Sequence, residues 1–433
     1  MSAQKPREIA FRVLLQHRDG AHFLEYLLER EFGKGSMSGV DRGLAQELAY
    51  GVVRWERTLE WLIDQKTRER PEKPALQILL RLGLYQLFWL DRIPDHAAVN
   101  ETVELGKRMG FKSQAGFINA VLRAFLRERD ATRQRLNELR EREPAKGLSH
   151  PDWLYERWRE RCGEAEARRL MEWNNQPPPT YARLNTIKAN AGQLSERWKG
   201  EEVQFRACTF DWIPEDLVFE LIEHPSVATL RSFQEGWFYI QDPSTLLSVR
   251  GVDPQPGETI LDMCAAPGGK TTYIAQSINN QGKLIATDLS ASRLEMVREN
   301  CARLGVTCAS IEQWSPGLSR LGSAPFDRVL LDVPCSNTGV MRRRVELRWR
   351  IRPEELARLV KEQRDLLEHA SQLVKSGGVL VYSTCSLEPE ENSGVVQAFL
   401  AAHPNFKLDR ERMLLPFRDG VDGAYAARLL RQS

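Results

Sequence analysis

Along the first third of the chain, apolar residues return every three or four positions. FRVLLQ, LEYLLEREF, ELAYGVVRWERTLEWLIDQ and ALQILLRLGLYQLFWL share that period, which places their apolar residues on one face of a helix. Gly and Pro punctuate the run at GKGSMSG and RPEKP. AAVNETVELGKRMG and FINAVLRAFLRERDATRQRLNELRERE continue it, the latter growing basic, with Arg123, Arg127, Arg129, Arg133, Arg135, Arg140 and Arg142. Those arginines fit a solvated helix face and an RNA-facing surface equally well. An all-helical domain over 1–145 follows, closed by EPAKGLSHP as a linker.

Between 150 and 236 the pattern shortens. The Trp-rich helical stretch PDWLYERWRERCGEAEARRLMEWNN meets QPPP and then the strand-like TYARLNT, the pattern of a small α+β connector. From 237 to 433, strand-length apolar runs alternate with helical ones: ETILDM, KTTYIAQSI, KLIATD, SRLEMVRENCARLG, FDRVLLDVP, PEELARLVKEQRDLLEHASQLV, GGVLVYSTC and ENSGVVQAFLAAH. That alternation predicts an α/β domain with a parallel sheet and crossover helices, followed by a tail able to form an antiparallel hairpin.

Composition narrows the class. Of 433 residues, 42% are hydrophobic and 28% charged, a globular balance. A net charge of +2 argues against wholesale polyelectrolyte binding and allows local basic patches. The opening MSAQKPREIAFRVLLQHRDG carries charges where a secretory signal needs an apolar core, and Gln77, Arg81 and Gln86 interrupt the most apolar stretch. A cytoplasmic protein without membrane contact is expected. The seven cysteines form no CxxC pair, so no metal site or disulfide framework is expected, and Cys162, Cys208, Cys301 and Cys308 read as small core residues.

TILDMCAAPGGKTT joins a strand to a helix through a Gly-rich turn. It is not a phosphate-binding Walker loop, because Cys264 stands where the first glycine belongs, and the dinucleotide G-x-G-x-x-G is absent. Gly268 and Gly269 allow a ligand close to the backbone, and the helix that follows offers free N–H groups to a carboxylate. Asp288 ends the next strand, where a carboxylate can accept both ribose hydroxyls of an adenosyl group. Turn and carboxylate together favour S-adenosylmethionine. Lys270 is a candidate charge in that site.

LLDVPCSNTGV and VYSTCSLEPEEN each end an apolar run on a cysteine, Cys335 and Cys385. Methylating C5 of a pyrimidine requires a nucleophile at C6 first, and a thiol with a pKa of about 8.5 is a suitable one. An acid that hydrogen-bonds N3 of cytosine would help, and Asp332 lies three residues before Cys335. The residues alone leave open which thiol attacks.

LDMCAAPGGKT, LLDVPCSNTGVMRR and VYSTCSLEPEEN resemble the motifs of the RNA cytosine-C5 methyltransferases of the NOL1/NOP2/Sun family, over roughly 237–433. AYGVVRWERTLEWLID, HAAVNETVELGK and GFINAVLRAFL resemble the NusB RNA-binding fold. The fusion resembles the bacterial branch acting on 16S ribosomal RNA. The resemblance implies a Rossmann-like methyltransferase domain behind a NusB-like one. It further implies Cys385 as nucleophile, Cys335 as the residue assisting product release, and Cys264, Ala265, Ala266, Pro267, Gly268, Gly269, Lys270, Asp288 and Asp332 as the cofactor's lining. The chain departs from the family where Gly-Asp is expected after the third strand: Gln313 and Trp314 stand there, after Glu312. The tail VDGAYAARLL departs as well.

MRRRVELRWRIRP follows Cys335 closely. Its Arg342, Arg343 and Arg344, with Arg348 and Arg350 beyond, are expected to contact RNA phosphates. The tryptophans, mostly in the first half at helical spacing, read as core. A monomer acting on 16S ribosomal RNA, not DNA, is the expectation. The rivals are the same chemistry on transfer RNA and a noncatalytic RNA-binding assembly factor.

Overall fold

The computed structural model describes residues 5–67, 73–314 and 325–432. Part of the RPEKP break and the residues just after Trp314 lie outside them. The chain divides into two compact units. One comprises Met1–Gln176 with Arg342–Arg350, the other Pro177–Met341 with Ile351–Ser433.

The first unit is helical. Helices Pro6–His17, Leu24–Phe32, Gly39–Arg54, Glu56–Thr67, Pro74–Trp89, Asp95–Arg108 and Ala115–Arg127 follow the apolar periodicity, with a break at Trp55 inside what the sequence presents as one run. Pro74–Trp89, apolar nearly all round, is buried along most of its length. The basic stretch forms Arg129–Arg142, and the Trp-rich stretch forms two helices, Asp152–Cys162 and Glu164–Asn174, broken at Gly163. The expected linker holds a helical turn, Pro144–Gly147, whose Pro144 and Ala145 are buried.

The second unit begins with a four-stranded antiparallel sheet of β1 (Thr180–Leu184), β2 (Gln204–Cys208), β3 (Val218–Glu223) and β4 (Phe238–Ile240), in the order β2-β3-β1-β4. Helix Ala191–Gly200, capped reciprocally by Asn190 and Gln193, buries Trp198 against the rings of Phe205, Phe219 and Phe238. The larger sheet holds β5 (Thr259–Met263), β6 (Lys283–Asp288), β7 (Ala309–Gln313), β8 (Phe326–Asp332), β9 (Val374–Thr384), β10 (Phe406–Leu414) and β11 (Ala424–Arg431). Their order is β10-β11-β9-β8-β5-β6-β7, with β5 to β9 parallel and the last two strands added as an antiparallel hairpin. Strand order reverses between β5 and β8, and open α/β sheets bind ligands beyond the carboxyl ends of the strands at such a point. Ile260, Leu261, Val329, Leu330, Leu380 and Val381 are fully buried, as strands covered on both faces must be.

Candidate active site

Strand register brings the two cysteines together. β8 and β9 are adjacent and parallel, with Asp332 opposite Ser383, and each thiol lies two or three residues past that pair. Cys335 Sγ and Cys385 Sγ are 3.2 Å apart, both free thiols. They differ in setting. Cys335 is buried, and its hydrogen bond with Cys385, followed by burial, pushes its pKa well above the usual thiol range. Cys385 is half-buried and donates to Asn337 Oδ1 at 3.0 Å, while Asn337 Nδ2 donates to Cys335 O. Asn337 takes the left-handed conformation, φ +60°, which Asn tolerates.

Beside the thiols, Lys270 Nζ donates to Asp332 Oδ2 at 2.7 Å, and Ser383 Oγ donates to Oδ1 at 2.8 Å. Burial works against the Lys270 charge. The Asp332 carboxylate outweighs it, with Cys385 and Asp262 adding to the effect, so the ammonium is held above its ordinary pKa.

β5, the turn after it and helix Gly269–Ser277 form the cofactor loop. Gly268 sits at φ +103°, and a Cβ there would also come within 3.2 Å of Val297 Cα, so two constraints demand glycine. Cys264, also at positive φ, is a thiol kept protonated first by burial and then by Asp332 and Asp288. Asp288 is almost wholly buried. Its Oδ1 accepts the Ser290 N–H and its Oδ2 the Ala266 N–H, so the carboxylate is aimed by backbone amides on both sides. Arg293 donates to Ala266 O and lies 3.4 Å from Asp288. These features fit an adenosyl group with a carboxylate tail. Asp288 has lone pairs left for ribose hydroxyls, and a glycine cradle sits at the start of a helix.

At the end of β7, the Gln313 amide donates to Leu289 O, and the next residue, Trp314, is buried, its ring 5.0 Å from that of His369. The Gly-Asp position is thus filled by a latch and a core residue. The tail's departure also has a structural reason: Gly423 N donates to Gly339 O and Gly339 N to Cys385 O, so the start of β11 closes directly on both thiol loops.

Sequence reasoning passed over Asp262, Arg183 and Glu391. Asp262 lies inside β5, wholly buried, and accepts from Thr271 Oγ1 at 2.6 Å. An aspartate inside the apolar run ETILDM was the available signal. Arg183 on β1 reaches across to the cofactor helix, donating to Gln241 Oε1, Gly269 O and Thr272 Oγ1. Its guanidinium lies over the rings of Tyr239 and Tyr273, and burial brings its pKa down to about 10. No local pattern marks it.

The arginines after Cys335 do not act alike. Arg342 is buried with its guanidinium 4.1 Å from the Trp173 ring centre; Arg343 is half-buried and Arg344 exposed. Arg348 is wholly buried, donating to Arg54 O, Ser149 O, Asn174 O and Asn175 Oδ1. Among the described residues no helix is long and apolar enough to cross a membrane.

A parallel core reversing between β5 and β8, a glycine turn after β5 and a carboxylate ending β6 define a Rossmann-like methyltransferase fold with a NusB-type helical domain and a ferredoxin-like connector. Residues 249–430 match the family described as 16S rRNA methyltransferase RsmB/F, 4–127 the NusB family, and 150–218 the RsmF/B-like ferredoxin-like domain. A Synechocystis protein named probable ribosomal RNA small subunit methyltransferase B is 38% identical over 93% of this chain and 90% of its own. A Klebsiella pneumoniae ribosomal RNA small subunit methyltransferase B is 37% identical over 92% of this chain and 91% of its own. The crystal structure of PH0851 shares the fold across 99% of both chains, with a TM-score of 0.79 at 24% identity. The chain belongs to the 16S rRNA methyltransferase RsmB/F family.

Proposed function

We propose that this protein methylates C5 of a cytosine in 16S ribosomal RNA, using S-adenosylmethionine and a transient bond between Cys385 Sγ and C6 of the base. The observation that carries the reading is the pair of thiols 3.2 Å apart at the ends of adjacent parallel strands, beside the Lys270–Asp332 ion pair. Their unequal settings support the division of labour. Cys335 keeps its proton, held by its hydrogen bond with Cys385 and by burial, and Cys385 is the less buried of the two residues. Attack at C6 makes C5 enamine-like, so that C5 would take up the methyl group; a base then removes the C5 proton as the Cys385–C6 bond breaks, and Cys335 assists that release.

The acid at N3 is better supplied by Lys270 than by Asp332. Asp332 already accepts from Lys270 and Ser383, and the raised pKa of Lys270 keeps a donor available. Asp288, Ala266 and the turn through Gly269 would hold the cofactor, whose sulfonium supplies an electrophilic methyl group. The target base must be unpaired or flipped, at a cost of a few kcal/mol. Exposed Arg344 and half-buried Arg343 contact phosphates of the RNA.

The test is incubation with 5-fluorocytosine-substituted 16S RNA and S-adenosylmethionine. A covalent complex mapped to Cys385 and lost in Cys385→Ala is expected. An adduct on another residue, or no transfer to any ribosomal transcript, would sink the reading, and transfer to transfer RNA alone would reassign the substrate.

A further inference from the structure

We propose that Glu391 is a positioning residue that ties the two thiol-bearing loops together and so sets the separation of Cys335 and Cys385. Glu391 ends the short turn Pro389–Glu391 and is wholly buried. Its Oε1 accepts the Ser336 backbone N–H at 2.9 Å and Gln363 Nε2 at 2.9 Å. Its Oε2 accepts the hydroxyls of Ser336 and Ser386. Ser336 directly follows Cys335, and Ser386 directly follows Cys385. One carboxylate therefore holds the residue next to each thiol.

The same buried knot includes Gln363 Nε2 donating to Pro334 O, Leu387 N–H donating to Thr338 Oγ1, and Tyr382 Oη donating to Glu391 O at 2.6 Å. A buried carboxylate is expensive unless its lone pairs are filled, and here four donors fill them. Among the described residues no Lys or Arg forms an ion pair with Glu391; its partners are neutral donors. A salt bridge could anchor one loop to the scaffold. A carboxylate shared by two serines joins the loops to each other. The charge also lies among the influences that keep Cys335 protonated, after the Cys385 hydrogen bond and burial.

The inference bears on catalysis only through the reaction proposed above, but its geometric content can be read without RNA or cofactor. Diamide takes up two hydrogens as two neighbouring thiols join, and peptide mass mapping of the full-length protein follows the Cys335–Cys385 link apart from other cysteines. Loosening the loops in Glu391→Ala should slow that link by about tenfold or more. Glu391→Gln should stay close to the wild-type rate, because its amide oxygen still accepts from Ser336 N–H and Gln363 while its N–H groups can reach the two hydroxyls. In the methylation assay kcat should fall in Glu391→Ala with the KM for S-adenosylmethionine unchanged. Should Glu391→Ala fail to fold, the Ser336→Ala/Ser386→Ala pair removes the two hydroxyl donors and must also slow the link. Wild-type linking rates in the folded variants would overturn the proposal, whereas rapid linking without any RNA adduct in the wild type would overturn only the reaction.

Discussion

Asp262 illustrates how much chemistry one residue can hide inside a strand. Burial raises its carboxyl to about 7, opposed by the Thr271 hydrogen bond and the Lys270 charge. An unfolded chain releases this proton near pH 4, whereas the folded protein keeps it until about pH 7. Proton binding by the folded state is then the greater across that window, so Asp262's contribution to stability is full below pH 4 and is lost as pH rises toward 7. Asp262→Asn keeps an acceptor for Thr271 and cannot ionise. Urea denaturation from pH 4 to 8 should show the variant gaining a few kcal/mol on the wild type toward neutral pH. A constant difference across that range would mean that Asp262 is ionised throughout. That each thiol ends an apolar run is legible in the sequence. Their unequal settings are not, because the asymmetry between them arises from burial and from Asn337, which the spacing does not encode.

Three backbone segments meet at Gly339, and this contact belongs to the elements. A Cβ at Gly339 would lie 2.7 Å from Cys385 O and 2.7 Å from Gly423 Cα. Both obstacles are backbone, which cannot rotate aside. Gly339→Ala should cost about 1–3 kcal/mol in denaturation, as overpacking does, and should slow methyl transfer further because the shift falls on both thiol loops. Gly200→Ala, with nothing within 4 Å of its Cβ, is the matched control and should be near neutral. Equal stability of the two variants would show that the β11 contact yields freely. The parallel strands β5, β6, β8 and β9 are readable from alternation, since each buries an apolar run, whereas β7 is only partly buried and carries none. The small strands β2, β3 and β4 were not, because β2 is largely exposed and β4 spans only three residues. The tail looked anomalous for a similar reason: its glycine answers to loops far away in sequence.

At the scale of the whole molecule the chain leaves the methyltransferase unit after Met341, contributes Arg342–Arg350 to the helical unit, and returns at Ile351. Read as a string, MRRRVELRWR is a charge run on a surface. Its apolar residues were the overlooked signal: Val345 joins the helical core, and Trp349 Nε1 donates to Val53 O. Glu346 caps the start of helix Leu24–Phe32 by accepting the Leu24 N–H. Two neighbouring arginines should therefore fail in opposite ways. Arg348→Met strips the donor from three buried carbonyls and the Asn175 amide oxygen, which should lower stability by about 3 kcal/mol or more. Arg344→Glu alters an exposed position and should leave stability within about 0.5 kcal/mol. If Arg344 faces the RNA backbone, the same change should weaken RNA binding at low salt and reduce the slope of log affinity against log salt by about 0.7–0.9 per lost phosphate contact. Denaturation and filter binding on the two purified variants separate these outcomes. An unchanged salt slope for Arg344→Glu would assign the whole run to structure, and RNA recognition would then have to rest on exposed arginines elsewhere, such as Arg127 and Arg133 in the basic helices.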